Sequence, residues 1–350
     1  MKILIDGMGG DFAPEEIVKG AVKAAHEIDE TVVIIGPEAV IFEELRKNRW
    51  HGDNIEVVDA TEVISNHETP AMAVRKKKDS TIVKGMNMVK DGEADIFISG
   101  GSTGALLAGG LVILGRLKGI KRPAIAAWFP RIGKEGNTLL LDCGANVESK
   151  PEYIFQNGLM GSIFVEGITG NKMPVVKLLN VGAEEGKGDD LHKEAFEMLK
   201  ASGEAGNINF EGNLEGRDIV FGDADVVVTD GFSGNVFLKG SEGMALAIMK
   251  QFKSKLTEGM VAKAGAMLAY SKIKEIKQEF DYSDAGGAPI LGLKGAVLKI
   301  HGNSKATEVY YAIHRAVDYV ERDITGMIAD AVSKSESITS KLFKSMLKED

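Results

Sequence analysis

Short, almost uninterrupted apolar runs recur along the chain at 3–6, 32–36, 55–59, 95–99, 124–128, 138–142, 175–180 and 225–230. Runs of this length without polar alternation mark strands that are covered on both faces, as in a parallel sheet. Between them the apolar positions fall into helical spacing near 14–28, 70–90, 103–116, 151–165, 189–202 and 234–256. Pro14 and Pro151 stand where a first helical turn tolerates a missing N–H. The strand–helix rhythm predicts an α/β fold with a doubly wound, mostly parallel sheet. Residues 1–335 are expected to form one α/β unit around a central cleft. The stretch 336–350, rich in Ser, Lys and acids, is expected to fray.

The rhythm stops at Gly240. From there to about Phe280 the chain reads as helix throughout, broken only at glycines such as Gly259 and Gly265. Over 250–277 seven lysines stand against Glu258 and Glu275, a local charge of +5 on a chain whose formal net charge is -9. Leu256, Met260, Val261, Met267 and Leu268 supply an apolar partner face. A helical hairpin at 240–280 is therefore expected. It packs on itself or a second subunit, or its tip touches an anionic bilayer.

Composition narrows the classes. Hydrophobic residues at 44% and charged residues at 27% are ordinary for a folded soluble protein. The acidic balance argues against a chain-wide nucleic-acid surface, and aromatics at 6% argue against stacking platforms for single strands. One cysteine, Cys143, excludes an intramolecular disulfide framework and a Cys-rich zinc site. The six histidines are scattered, so no metal site is expected. No run reaches 18 apolar residues, and Met1 to Asp6 reads as a first strand rather than a signal peptide. A cytoplasmic location follows as the expectation.

Glycines cluster just after the strands, in Asp6-Gly7-Met8-Gly9-Gly10-Asp11, Ser99-Gly100-Gly101-Ser102-Thr103-Gly104, Asp142-Cys143-Gly144-Ala145-Asn146 and Asp230-Gly231-Phe232-Ser233-Gly234-Asn235. In an open α/β sheet the carboxyl ends of strands form the ligand crevice. Glycine there lets backbone N–H groups approach an anion, and a helix N-terminus adds favourable partial charge. A phosphate-binding cleft is expected. Gly-x-Gly-x-x-Gly is broken by Phe12 in the first loop, and around Gly186-Lys187 Val181 and Gly188 replace the first glycine and the Ser/Thr of a P-loop. No dinucleotide, NTP or other cofactor is implied. Gly100-Gly101-Ser102-Thr103-Gly104 also satisfies Gly-x-Ser-x-Gly, with Asp230 and His301 following in triad order. A serine thioesterase or lipase using Ser102 is thus a competing reading, and a binding or scaffold protein on a membrane face is a third.

At these same loops the sequence resembles the bacterial phosphate acyltransferases of phospholipid synthesis, the acyl-carrier-protein:phosphate transacylase (PlsX) family. The likeness runs from Met1 to about residue 335. It is carried by the four loops above, by Leu179-Asn180-Val181-Gly182 with Glu184 and Lys187-Gly188, and by Phe210-Glu211-Gly212-Asn213. Gly286-Gly287-Ala288-Pro289 and His301-Gly302-Asn303-Ser304 complete it. Ser102 occupies a position usually filled by asparagine in that family, which an amide could not serve as nucleophile. The resemblance implies an isocitrate/isopropylmalate dehydrogenase-like architecture shared with phosphotransacetylase, and a homodimer. It implies transfer of a fatty acyl group from acyl carrier protein to inorganic phosphate, with the acyl phosphate passed to a membrane glycerol-3-phosphate acyltransferase. It implies loose association with the inner membrane face.

Phosphate would attack the thioester directly, so no enzyme nucleophile is required. A thiol of pKa about 8.5 leaves without a strong acid. The protein must supply positioning and donors for the oxyanion. The resemblance points to Lys187 and Asn235 as catalytic. Gly9, Gly10, Ser102, Thr103, Gly104, Ser233 and Gly234 would cradle phosphate, with Asn146 and His301 in the same site. Asp6, Asp11 and Asp230 would orient donors. Arg75-Lys76-Lys77-Lys78, or Lys118 with Lys121 and Arg122, would offer a basic dock for acidic carrier protein.

Overall fold

The structure, a computed structural model, describes residues 1–279 and 286–334. The strands are β1 (Lys2–Asp6), β2 (Thr31–Gly36), β3 (Ile55–Asp59), β4 (Ile96–Ser99), β5 (Ala124–Pro130), β6 (Asn137–Leu141), β7 (Val175–Asn180), β8 (Asn209–Glu215), β9 (Val226–Val228), β10 (Ala288–Leu291) and β11 (Ala296–Lys299). The helices are α1 (Glu15–Ala25), α2 (Glu38–Lys47), α3 (Pro70–Lys76), α4 (Thr81–Lys90), α5 (Thr103–Gly109), α6 (Pro151–Thr169), α7 (Asp190–Glu204), α8 (Gly231–Leu256), α9 (Gly259–Leu268), α10 (Tyr270–Glu279) and α11 (Ala306–Glu321).

Among the described residues all eleven strands share one sheet, in the order β3-β2-β1-β4-β11-β10-β5-β6-β9-β7-β8. The expectation of a mostly parallel sheet holds in both flanks and fails at the centre. β10 runs antiparallel to β11 and to β5, and β5 runs antiparallel to β6. The two parallel groups therefore point in opposite directions. Their register brings the carboxyl ends close. Lys299 at the end of β11 pairs with Ala288, two residues before the Ile290–Ile125 pair, and the next residue, Ala126, pairs with Leu141 at the end of β6. Loops from both groups thus reach the middle of the sheet.

Two cores lie on the two faces. On one, α1, α6, α7 and α11 cover Ile3, Ile34, Ile98, Leu139 and Val226. On the other, α3, α4 and α5 cover Leu4, Val33, Phe97, Leu140 and Val227. Alternation along each strand sends neighbours to opposite faces, so near-total burial explains the unbroken apolar runs. Helix α6 approaches closely because Gly161 has no side chain: a Cβ there would stand 2.6 Å from Val226 Cγ1.

Several expected boundaries shift. The predicted helix at 70–90 is two helices, because the chain turns at 77–80 and Ser80 restarts it by accepting from Val83 N at 3.4 Å. Pro14 sits at the N-cap of α1 rather than inside it, whereas Pro151 opens α6. The helix at 103–116 ends in a wider π-helical turn at 110–114. The expected hairpin is three successive helices, α8, α9 and α10, parted at Thr257–Glu258 and Ala269; Gly259, at φ +83, follows the first break, but Gly265 lies inside α9. Phe280 and the tail at 336–350 lie outside the described residues. Among the described residues no helix is long and apolar enough to cross a membrane.

Candidate active site

Helix α8 passes over the central strands and leaves a cleft of about 750 Å3 between them. One face of α8, carrying Asn235, Leu238, Glu242, Ala245 and Ile248, forms one wall at helical spacing. Ile125, Ala127 and Phe129 of β5 face it, with Ile132 and Val220 beyond. The far part of the cleft is apolar. Its near end is polar, formed by Thr103 and Gly104 of α5, Gly144, Asn235, Lys239, Glu242, Lys299 and His301.

Two buried carboxylates build the loops at this end. Asp142 Oδ1 accepts from Gly144 N at 3.0 Å and Ala145 N at 2.8 Å, and Oδ2 accepts from Asn146 N at 2.9 Å and Asn146 Nδ2 at 2.8 Å. Burial pushes its pKa up against those bonds. Asn146 Nδ2 also donates to Pro123 O, and its carbonyl accepts from Gly231 N at 3.0 Å, the first residue of α8. Gly144, at φ +115, leaves the Asn235 side chain 3.2 Å from where its Cβ would be. Gly234 lets α8 start against the sheet, since a Cβ would stand 2.0 Å from Asp142 O. Asp230 caps α8 through Oδ1, which accepts from Phe232 N at 3.0 Å and Ser233 N at 2.9 Å.

On the other flank, Asp6 is 1% exposed. Its Oδ1 accepts from Met8 N and its Oδ2 from Ser99 Oγ at 2.7 Å, while Ser99 Oγ accepts from Gly101 N. Burial raises its pKa, opposed by the Ser99 bond. Lys299 donates to the carbonyls of Ile300 and Gly100. Burial depresses it to about 8, opposed by Asp6. Lys239 Nζ lies 2.7 Å from Glu242 Oε2, and His301 Nε2 lies 3.5 Å from Glu242 Oε1. Burial lowers the His301 pKa, with Glu242 pulling the other way. The Cys143 thiol, walled into the cleft lining, is pushed up by burial and by Asp142.

The residues singled out in the sequence divide into three sets. Thr103, Gly104, Asn235 and His301 meet in the cleft. Asp6, Gly9, Gly10, Asp11 and Ser102 line a separate hollow of about 260 Å3, bounded also by 63–67 and sharing Gly302 with the cleft. Two carboxylates face that smaller hollow, which makes it the poorer place for an anion. Asn146, Asp230, Ser233 and Gly234 hold the start of α8 and line neither space. Lys187 also lines neither. It stands half exposed on the loop before α7, 4.0 Å from Glu184. The triad order Ser102, Asp230, His301 is not assembled: Asp230 faces His192, His301 faces Glu242, and Ser102 lies 7% exposed in the smaller hollow.

Lys239, Glu242, Lys299 and the apolar walls escaped the sequence reading. Lys239 could have been found, four residues after Asn235 on the same helix face. Lys299 gave only the signal of a cation ending an apolar run.

The fatty acid synthesis protein family model matches residues 1–327. A phosphate acyltransferase of Clostridium acetobutylicum is 47% identical over 330 residues, covering 94% of this chain and 98% of that one. One from Bacillus pumilus is 45% identical, covering 95% and 98%. In fold, a phosphotransacetylase from Streptococcus pyogenes superposes with a TM-score of 0.60 at 19% identity, covering 95% and 94%. A 4-hydroxythreonine-4-phosphate dehydrogenase from Klebsiella pneumoniae does so at 0.52 and 14%, covering 90% and 99%.

Proposed function

The chain belongs to the fatty acid synthesis protein family, and on that premise we propose that it transfers a fatty acyl group from a thioester to inorganic phosphate, giving an acyl phosphate for phospholipid synthesis. One observation carries the reading: a single cleft is apolar over most of its length and ends in amides and cations, with the Glu242 carboxylate paired to Lys239. A fatty chain needs the first part and phosphate the second.

Phosphate enters at the polar end, where Lys239, Lys299 and the first amides of α5 lie. Its oxygen attacks the thioester carbonyl, the C–S bond breaks, and the electron pair leaves on sulfur. Asn235 is the oxyanion donor of this proposal, because its amide lines the cleft beside the Gly144 turn. Lys187 enters through the family resemblance as a further cation, on the loop next to the cap of α8. Cys143 takes no part: its thiol is held protonated.

Acyl carrier protein is the proposed donor, and a membrane glycerol-3-phosphate acyltransferase the proposed acceptor of the product. We also propose residues 1–335 as one catalytic unit, a homodimer, and peripheral contact with the inner membrane face through the segment that holds α8, α9 and α10. Met260, Val261, Met267 and Leu268 are 79% to 90% exposed there, beside lysines, which supports that contact.

The test incubates palmitoyl carrier protein with and without inorganic phosphate and traps the product with hydroxylamine. Phosphate-dependent hydroxamate is expected. Phosphate-independent free acid, with fluorophosphonate labelling of Ser102, would instead establish a serine thioesterase.

A further inference from the structure

His192 stands outside both cavities and no step above uses it. Its ring is 15% exposed and sits between two carboxylates from different elements. Nδ1 lies 2.6 Å from Asp189 Oδ1, on the N-cap of its own helix α7. Nε2 lies 3.4 Å from Asp230 Oδ2, on the N-cap of α8. Among the described residues, that second oxygen of Asp230 is buried and has no hydrogen bond. A buried carboxylate oxygen without a donor is costly unless a positive charge stands beside it.

The two caps belong to the segments that bear the two residues assigned to catalysis. Lys187 lies two residues before Asp189, and its carbonyl accepts from Asn180 Nδ2 at 3.1 Å. Gly188 between them has φ +97, and a Cβ there would stand 2.8 Å from both Asn180 Oδ1 and His192 Cβ. Asn235 follows Asp230 by five residues, about 7.5 Å along α8. The ring of His192 is therefore the cross-brace between the Lys187 loop and the helix of Asn235.

We propose that His192 is a positioning residue for the acyl transfer, fastening the loop of Lys187 to the cap of α8 and so setting the helix that carries Asn235. This rests on the function proposed above. The charged groups facing the ring are Asp189 from the α7 cap and Asp230 from the β9–α8 corner. Asp230 first, then Asp189, raise the His192 pKa against burial. Burial would lift Asp230, but His192 and the Ser233 N–H hold it down at about 2. The brace is an imidazolium between two carboxylates below the His192 pKa and loosens as pH rises through it.

The experiment measures kcat, KM and melting temperature for the intact protein and for His192→Gln and His192→Ala, from about pH 6 to 9. Palmitoyl carrier protein and inorganic phosphate are the substrates. Both variants are expected to lose about tenfold or more in kcat, with KM for the carrier protein changed by less than about twofold. At saturating phosphate the unaltered enzyme should show a falling alkaline limb in kcat that both variants lack, and imidazole should restore part of the rate to His192→Ala. If the variants fold poorly, nitrogen NMR of the unaltered enzyme decides: the His192 ring must titrate above 6.5 and in step with the alkaline limb. Unchanged kcat in a folded variant, or a ring that titrates below 6.5, overturns the proposal. Absence of acyl phosphate from the unaltered enzyme would refute the proposed function itself.

Discussion

Replacing Ala245 by Trp should shorten the acyl chain that the enzyme accepts. Ala245 lines the cleft ten residues beyond Asn235, about 15 Å along α8. Across from it the β5 wall carries Ala127 and Phe129. Ala245 is partly exposed, so an indole there displaces cleft space rather than core. The backbone tolerates the change, since Trp costs a few tenths of a kcal/mol in helix propensity. A methylene driven from the cleft into water loses about 0.8 kcal/mol. Hexadecanoyl and dodecanoyl substrates differ by four methylenes, about 3 kcal/mol, or about 200-fold in kcat/KM when all four are displaced. The cleft is open along one side, so this figure is the ceiling. The assay compares kcat/KM for hexadecanoyl and dodecanoyl carrier protein in both enzymes by hydroxamate trapping. The ratio should fall by about tenfold or more in Ala245→Trp, with dodecanoyl turnover retained. A ratio unchanged within about threefold, in a folded variant active on the short chain, would refute the placement of the chain along α8.

Asn235→Ala should cost about 3 kcal/mol of transition-state stabilisation, roughly 100-fold in kcat, with melting temperature unchanged; steady-state kinetics beside calorimetry checks both. Gly234→Ala should destabilise by about 1–3 kcal/mol, because its Cβ would stand 2.0 Å from Asp142 O and 2.6 Å from Thr229 Cγ2, and a calorimetric scan reads the loss. Lys299, depressed to about 8 by burial, loses its charge as pH rises through that value, so KM for phosphate should rise above about pH 8; in Lys299→Met it should be high at every pH. Changing Met260, Met267 and Leu268 to Glu should abolish sedimentation with anionic liposomes and spare turnover in solution.

The strands that the sequence shows well are those buried on both faces, such as β1 and β2, where the interior positions Ile3–Ile5 and Val32–Ile35 are all apolar. β8 reads Asn-Phe-Glu-Gly-Asn-Leu-Glu and is half exposed at the sheet edge, so its pattern is that of a loop. β10 and β11 have four residues each and flanking glycines. Helices α2 and α11 went unremarked although their buried positions keep helical spacing, Ile41, Glu44 and Leu45 in one and Val309, Ala312, Ile313 and Ala316 in the other. The central reversal of direction was not legible at all, because a strand covered on both faces has the same apolar sequence whichever way it runs. That reversal decides the site. It divides the glycine loops between two hollows and brings Asn235 to the same cleft as His301. Lys299 and Phe129, at remote positions in the chain, come to line one cleft only through strand order.

The central claim, that the fatty chain lies between α8 and β5 with its thioester at Asn235, is tested most directly by photocrosslinking. Hexadecanoyl carrier protein bearing a diazirine at the chain terminus is irradiated on the enzyme, and the adducts are mapped by mass spectrometry. Adducts on Ala245, Ile248 or Ile132 are predicted. Adducts on 9–11 or 63–67, around the smaller hollow, would contradict it.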